Sequence, residues 1–225
     1  MAWLNDSSIG RKVVMSVTGA AFVLFLLFHG SMNLVAVFSE EGYNMICEFL
    51  GANWYALVAT LILAALMCIH IIYASILTVQ NYKARGNDRY AVTKKPKEVE
   101  WASQNMFVLG TIVLLGIALH LFNFWSKMQW VELQHNLGVE IDASNAANGY
   151  YWIQQTFGNL WYSAIYAVWL AAIWFHLTHG VWSMLHTMGW NNDTWMPRVQ
   201  MISTIVASIG VGLFAVVLVY FTFLV

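Results

Sequence analysis

The sequence predicts an all-α membrane protein: a bundle of five transmembrane helices that forms a single integral membrane domain over residues 1–225. Two observations predict it. Of the 225 residues, 60% are hydrophobic and 9% are charged, whereas soluble domains carry roughly 25% charged residues. Five segments are also long enough to cross a bilayer, which takes about 20 apolar residues. They run approximately over residues 13–38, 54–79, 105–125, 160–185 and 201–225.

The charges outside the spans predict the orientation. With the N-terminus inside, nine of the ten basic residues fall on the inner side, and Lys127 falls outside. Because Lys and Arg accumulate in short cytoplasmic loops, we expect a cytoplasmic N-terminus and an extracytoplasmic C-terminus. The stretch 94–97 could face lipid head groups or a docked partner. The nine inner residues are Arg11, Lys12, Lys83, Arg85, Arg89, Lys94, Lys95, Lys97 and Arg198.

The connections have their own signatures. Polar residues 5–8 offer side-chain oxygens that can cap the first helix, and an acidic outer loop over 39–53 follows it. Residues 127–159 form the longest connection, of a length typical of functional or mobile loops. The turn after the fourth span is expected to run through Pro197. The fifth span has no histidine, so we expect it to close the bundle by packing.

Seven histidines are present, and five of them lie inside predicted spans. His135 lies in a loop and His186 near a helix end, where solvation is the simplest interpretation. A polar side chain within a span is costly, although any single one could form an interhelical hydrogen bond. Four spans with a histidine weaken that explanation. The histidines in spans are His29, His70, His120, His176 and His179.

Their depths sort into two levels. At about 1.5 Å per residue, His29 lies roughly 16 Å and His120 roughly 10 Å from the outer side. His70 and His176 lie about 24 Å and 22 Å from the same side. Two haems, each ligated by two imidazoles, explain all four positions, since bundles hold cofactors between facing helices. A proton relay is disfavoured because no Asp or Glu lies near these positions in the spans.

The residues leave some alternatives open. His176 and His179 are three residues apart on one helical face, so either could reach an iron. Gly19 and Gly110 each precede a histidine by ten residues. These glycines and Gly116 could be close helix contacts, but we favour flat surfaces on which a porphyrin edge packs. The two cysteines form no C-x-x-C-H sequence, which argues against covalently attached haem.

Taken together, these residues resemble a known family: the di-haem cytochrome b membrane-anchor subunit of bacterial succinate dehydrogenase and quinol:fumarate reductase, of the single large five-helix type. The resemblance covers nearly the whole chain. It rests on Ser-Val-Thr-Gly at 16–19 leading to His29, on Leu-Gly-Ile-Ala-Leu-His-Leu at 115–121, and on His-x-x-x-Gly at 176–180 followed by Gly-Trp at 189–190.

The resemblance implies one haem ligand from each of the first four helices. It pairs His29 with His120 at an outer, distal haem and His70 with His176 at an inner, proximal haem, as the depths also suggest. His176 matches the family ligand, which leaves His179 as an alternative ligand or a haem contact. The residues expected to pack against haem are Ser16, Gly19 and Gly110.

The resemblance also implies a role in the bacterial inner membrane. The chain would pass electrons between an iron–sulfur subunit and menaquinone through two b haems, beside a cytoplasmic flavoprotein subunit, with no catalytic residue for succinate itself and no nucleic-acid partner. Glu48 is the candidate quinone-site acid, and a solvated loop carboxylate is the alternative. Some fumarate reductases of this type place a glutamate for a proton path where this chain has Trp174, which puts such a path in doubt here.

Two alternative functions remain. Another respiratory oxidoreductase, such as nitrate reductase, also uses a five-helix di-haem anchor. A cofactor-free transporter could use polar helices, but it would not need histidines at two depths. The sequence leaves the direction of catalysis open, because haem potentials depend on the groups that surround the ligands.

Overall fold

A computed structural model describes residues 7–85, 101–190 and 192–225. Within these ranges the chain is all-helical and contains no strand. Five of the helices are long and apolar enough to cross a membrane, as the sequence predicts. In chain order the α-helices are α1 (Ser8–Leu34), α2 (Glu40–Phe49), α3 (Trp54–Arg85), α4 (Trp101–Gln104), α5 (Met106–His120), α6 (Gln129–Asn136), α7 (Gly149–Phe157), α8 (Leu160–Thr187) and α9 (Met196–Phe223).

The long helices differ from the predicted spans mainly at their ends. α1 begins five residues earlier than predicted, because the Ser7 hydroxyl caps it by accepting a hydrogen bond from the Gly10 N–H at 2.9 Å. α3 continues beyond residue 79 to Arg85. The expected turn after the fourth span is present between α8 and α9. Pro197, however, lies in the first turn of α9 rather than in that turn, at a position where its missing N–H is not needed.

The two connections expected as loops contain helices. The region 39–53 holds α2, which Ser39 caps by accepting a hydrogen bond from the Gly42 N–H at 2.9 Å. The region 127–159 holds α6 and α7, and the Asn148 side chain caps α7. These three short helices lie at the end of the bundle where α1 and α5 finish, which we call the capped end.

α1, α8 and α9 form the closely packed centre of the bundle. α3 packs against α1 and α5 packs against α8, so that α3 and α5 share no extensive contact in the described part of the chain. The apolar core runs between α8, α9 and α7, with Ile153 2% exposed and Phe221 1% exposed. The prediction that the histidine-free fifth span closes the bundle by packing is confirmed.

Large apolar side chains cover the outside of the long helices. Leu24, Leu61 and Leu115 are 69%, 70% and 66% exposed. Soluble monomers rarely expose apolar surface so extensively, so the fold is that of a multi-pass membrane protein. Trp54 and Trp161 are exposed in the first turns of α3 and α8, a position typical of interfacial aromatic residues.

Polar side chains from α6 join it to the turn that precedes α3. Gln129 Oε1 accepts a hydrogen bond from Thr60 Oγ1 at 3.0 Å, and Gln129 Nε2 donates to the Gly51 carbonyl at 3.0 Å. Glu132 Oε2 accepts from the Ala52 N–H at 3.0 Å. A Cβ atom at Gly51 would lie 2.3 Å from the same carboxylate oxygen. We call these contacts the clasp; it ties the start of α3 to the region after α5.

Gly116 lets α5 and α8 approach each other, since a Cβ atom there would lie 2.0 Å from Trp169 Cδ1. We expect Gly116→Ala to lower the melting temperature of the detergent-purified protein, because overpacking costs about 1–3 kcal/mol. Gly212→Ala is the matched control, since a Cβ built there meets no atom of another described element within 4 Å. Equal melting temperatures for the two variants would contradict the close α5–α8 contact.

Candidate functional site

His29 of α1 and His120 of α5 lie side by side near the capped end. Their ring centroids are 5.9 Å apart and their planes are inclined at 81°. Phe25 stacks on His29 at 5.3 Å, and Trp169 lies 5.8 Å from His120. The structure therefore brings together the two histidines that the estimated depths pair at the outer level.

This spacing fits two imidazoles that share one metal atom. Metal–nitrogen bonds to histidine are about 2 Å long, and the ring centre lies about 1 Å further on, so two rings on opposite sides of a metal have centres about 6 Å apart. The separation of 5.9 Å between His29 and His120 agrees with that value. The outer pair is thus compatible with a haem whose iron His29 and His120 would hold.

His70 of α3 and His176 of α8 form the inner level. A Cβ atom built on Gly19 would lie 4.0 Å from His70 Cε1, and one built on Gly110 would lie 3.7 Å from His176 Cε1. Each glycine lies ten residues before the outer-level histidine of its own helix. The two levels are therefore about 15 Å apart along the helices.

The glycines beside the inner histidines are not points of close helix contact. Within the described ranges, the histidine ring provides the one neighbouring atom within 4 Å of a Cβ at Gly19 or Gly110, so each leaves a flat surface beside a ring. Gly116 differs because the Trp169 indole covers it. A flat haem-packing surface fits Gly19 and Gly110, whereas for Gly116 that expectation is wrong.

The inner histidines differ in their hydrogen bonding. Thr18 Oγ1 lies 2.9 Å from His70 Nδ1. In the described part of the chain, His176 Nδ1 is buried and has no hydrogen-bond partner, a situation that costs about 1–3 kcal/mol for a polar group. His179, one turn further along α8, places its ring 4.8 Å from Trp182. The contact with Gly110 shows that His176 is the α8 histidine that faces α5.

A hydrogen-bonded chain reaches His29 from the capped end. Asn33 Nδ2 donates to the His29 carbonyl at 2.8 Å and lies 3.3 Å from His29 Nδ1. The Tyr43 hydroxyl of α2 donates to Asn33 Oδ1 at 2.9 Å. Burial, together with the neighbouring Cys47 thiol, raises the pKa of Tyr43 well above its ordinary value. Neither Asn33 nor Tyr43 is among the site residues predicted from the sequence, although Asn33 follows His29 at helical i+4 spacing.

Glu48 lies on a different face of α2 from Tyr43. At 3.6 residues per turn the two are about 140° apart around the helix. Glu48 is exposed and lines a cleft of about 550 Å³ together with Glu40 and Glu41. Tyr43, rather than Glu48, is the α2 residue that connects to His29.

The remaining predicted residues have simpler surroundings. Ser16 is buried, and its hydroxyl donates to the Lys12 carbonyl of its own helix at 2.9 Å. The Trp174 indole donates to Ser208 of α9 at 3.0 Å. The two histidines expected to be solvated, His135 and His186, are exposed. The basic stretch over 89–97 lies outside the described residues.

A π-helical turn follows His120 over Leu121–Trp125. In it the Ser126 N–H donates to the Leu121 carbonyl, five residues earlier, at 2.8 Å. Such turns are frequent at functional sites. Asn123 within it is 2% exposed and donates to the Tyr166 hydroxyl at 3.3 Å. This polar contact fixes the end of α5 against α8, beside the outer histidine.

Comparison of the chain with protein-family models, with curated proteins and with solved structures finds no match. Across the described residues, no group of three or more His, Cys, Asp or Glu side chains could hold a metal ion. Histidines arranged in twos suit a cofactor whose macrocycle supplies the other metal ligands. The two histidine levels are therefore the feature of the molecule that points to a function.

Cys47 should react slowly with water-soluble thiol reagents at pH 8. Burial raises the pKa of its thiol from 9.0 to about 11, and the thiolate is the reactive form. We expect labelling about a hundredfold slower than that of an ordinary cysteine, measured by mass spectrometry in a Cys68→Ser variant. The same variant unfolded in detergent is the control, and equal rates before and after unfolding would contradict burial of Cys47.

Proposed function

We propose that the chain is the haem-bearing membrane anchor of a succinate:quinone oxidoreductase, that is, of a succinate dehydrogenase or quinol:fumarate reductase complex. The observation that carries the proposal is the arrangement of histidines from four long helices at two levels. At the outer level the ring centres of His29 and His120 are 5.9 Å apart, which is compatible with one shared metal. At the inner level, flat glycine surfaces lie beside His70 and His176.

Each group of residues has a defined role in this proposal. His29 and His120 hold the outer haem iron, and His70 and His176 hold the inner haem iron. Gly19 and Gly110 leave room beside the inner rings, because neither carries a side chain there. Two b-type haems, when bound, would supply one-electron carriers at two depths of the membrane.

The proposal includes an orientation and a set of partners. The capped end faces the outside, because the basic residues that flank the spans accumulate at the other end. A flavoprotein subunit and an iron–sulfur subunit then bind at the cytoplasmic end, and menaquinone reacts near the capped end, within the bacterial inner membrane. The chain's own residues bind and orient the cofactors, while succinate chemistry belongs to the flavoprotein subunit.

The purified protein is expected to contain two b-type haems per chain by pyridine haemochrome assay. His29→Ala and His120→Ala should each remove the same haem and leave the spectrum of the other, because the two rings serve one iron. His135→Ala, which changes an exposed histidine, is the control and should retain both haems. One haem or none in the unchanged protein would contradict the proposal.

The same assay tests the inner level. His176→Ala should remove the haem that survives in His29→Ala, whereas His179→Ala should retain both, because His176 is the α8 residue beside Gly110. The reverse result would assign the iron to His179.

Affinity purification of the tagged chain from its native membrane tests the partners. We expect subunits that carry flavin and iron–sulfur clusters to co-purify, together with succinate:menaquinone reductase activity. Co-purification of a molybdenum-containing subunit would instead identify an anchor of the nitrate reductase kind. A haem-free chain that purifies without partners would favour a transporter.

A further inference from the structure

Thr18 occupies a defined position between its own helix and His70. It immediately precedes Gly19, the residue whose open surface faces the His70 ring. Its side chain is 3% exposed, and its hydroxyl oxygen lies 2.9 Å from His70 Nδ1. The same oxygen lies 2.9 Å from the Val14 carbonyl and 3.1 Å from the Met15 carbonyl.

The direction of these hydrogen bonds follows from counting protons. A hydroxyl has one proton to donate and two lone pairs that accept. The carbonyls of Val14 and Met15 can only accept, so the Thr18 proton points back along α1, as is common for threonine within helices. Toward His70 the hydroxyl then presents a lone pair. In this arrangement the proton in the contact comes from His70 Nδ1.

The contact selects one form of His70. A neutral imidazole carries its proton on one nitrogen and a lone pair on the other. With the proton on Nδ1, the lone pair is on Nε2, which is the nitrogen left to bind a metal. Metal-binding histidines commonly donate their other N–H to a nearby acceptor, which fixes the ring orientation and makes the ligand more basic.

We propose that Thr18 is a positioning residue for the inner haem, one that fixes the tautomer and the ring orientation of His70 and thereby lowers the midpoint potential of that haem. The inference rests on the proposed haem-binding function and deepens it. A more basic ligand stabilises the oxidised iron over the reduced iron, which gives the direction of the effect.

In the described part of the chain, the side chain beside His29 Nδ1 is a donor rather than an acceptor. The polar atom near His29 Nδ1 is the amide nitrogen of Asn33, at 3.3 Å, and this nitrogen donates to the His29 carbonyl at 2.8 Å. Tyr43 donates to the amide oxygen of Asn33 and so holds the amide in that orientation. An amide NH₂ group donates hydrogen bonds and does not accept them. Thr18 contacts His70 and lies eleven residues before His29 on α1, so removal of its hydroxyl should affect the inner haem alone.

Redox titration of Thr18→Val in the assembled complex tests the inference. Valine keeps the shape of threonine and removes the acceptor, so the midpoint potential of the inner haem should rise. A change of about tenfold in the ratio of oxidised to reduced haem is expected for loss of such a contact, which corresponds to about 59 mV for one electron. The haem that shifts should be the one missing from His70→Ala, and the other should keep its potential.

Two further variants make the result specific. Thr18→Ser keeps a hydroxyl and should keep the original potentials. Thr111→Val makes the same change on α5, where the exposed Thr111 hydroxyl donates to the Phe107 carbonyl at 2.9 Å, and should alter neither haem. Two haems with potentials unchanged in Thr18→Val, or equally changed in Thr18→Ser, would overturn the role of Thr18 and leave the proposed function intact. Absence of haem from the unchanged protein would instead overturn the proposed function.

Discussion

An imidazole nitrogen buried among apolar helices has to find a bonding partner, and the bundle is organised around that requirement. A buried polar atom without one costs about 1–3 kcal/mol, and four long helices each bring at least one histidine inside. The Thr18 hydroxyl forms a hydrogen bond with His70, and the Asn33 side-chain amide contacts His29. His176 Nδ1 is buried and receives no hydrogen-bond partner from the described residues.

α1 carries the largest share of both levels. It contributes Thr18 and Gly19 to the inner level and His29 and Asn33 to the outer level. Thr18 and His29 are eleven residues apart, which in an α-helix returns to within about 20° of the same face. A single face of one helix thus serves both levels. α1 also packs against α3, α8 and α9, so its rotation is fixed by neighbours on several sides.

The sequence predicted the five spans and the sorting of four histidines by depth, because composition and the helical rise are enough for both. It missed α2, α6 and α7, since their short amphipathic patterns are hidden among mixed polar residues. The sequence also shows that Gly19 and Gly110 each precede a histidine by ten residues, but it cannot show which ring each glycine faces. In a uniformly apolar helix the sequence gives the depth of each residue in the membrane but not the rotation of the helix about its axis. The contacts of Thr18 and Tyr43 therefore required the three-dimensional structure.

The clasp at the capped end also constrains the order in which the chain can assemble. Its contacts join Ala52 to Glu132, residues that are 80 positions apart, so they cannot form until α5 and α6 have been synthesised. Among the described helices, α1 is the one that makes extensive contact with α3. The capped end of α3 therefore gains this second attachment from a part of the chain that is made much later than α3 itself.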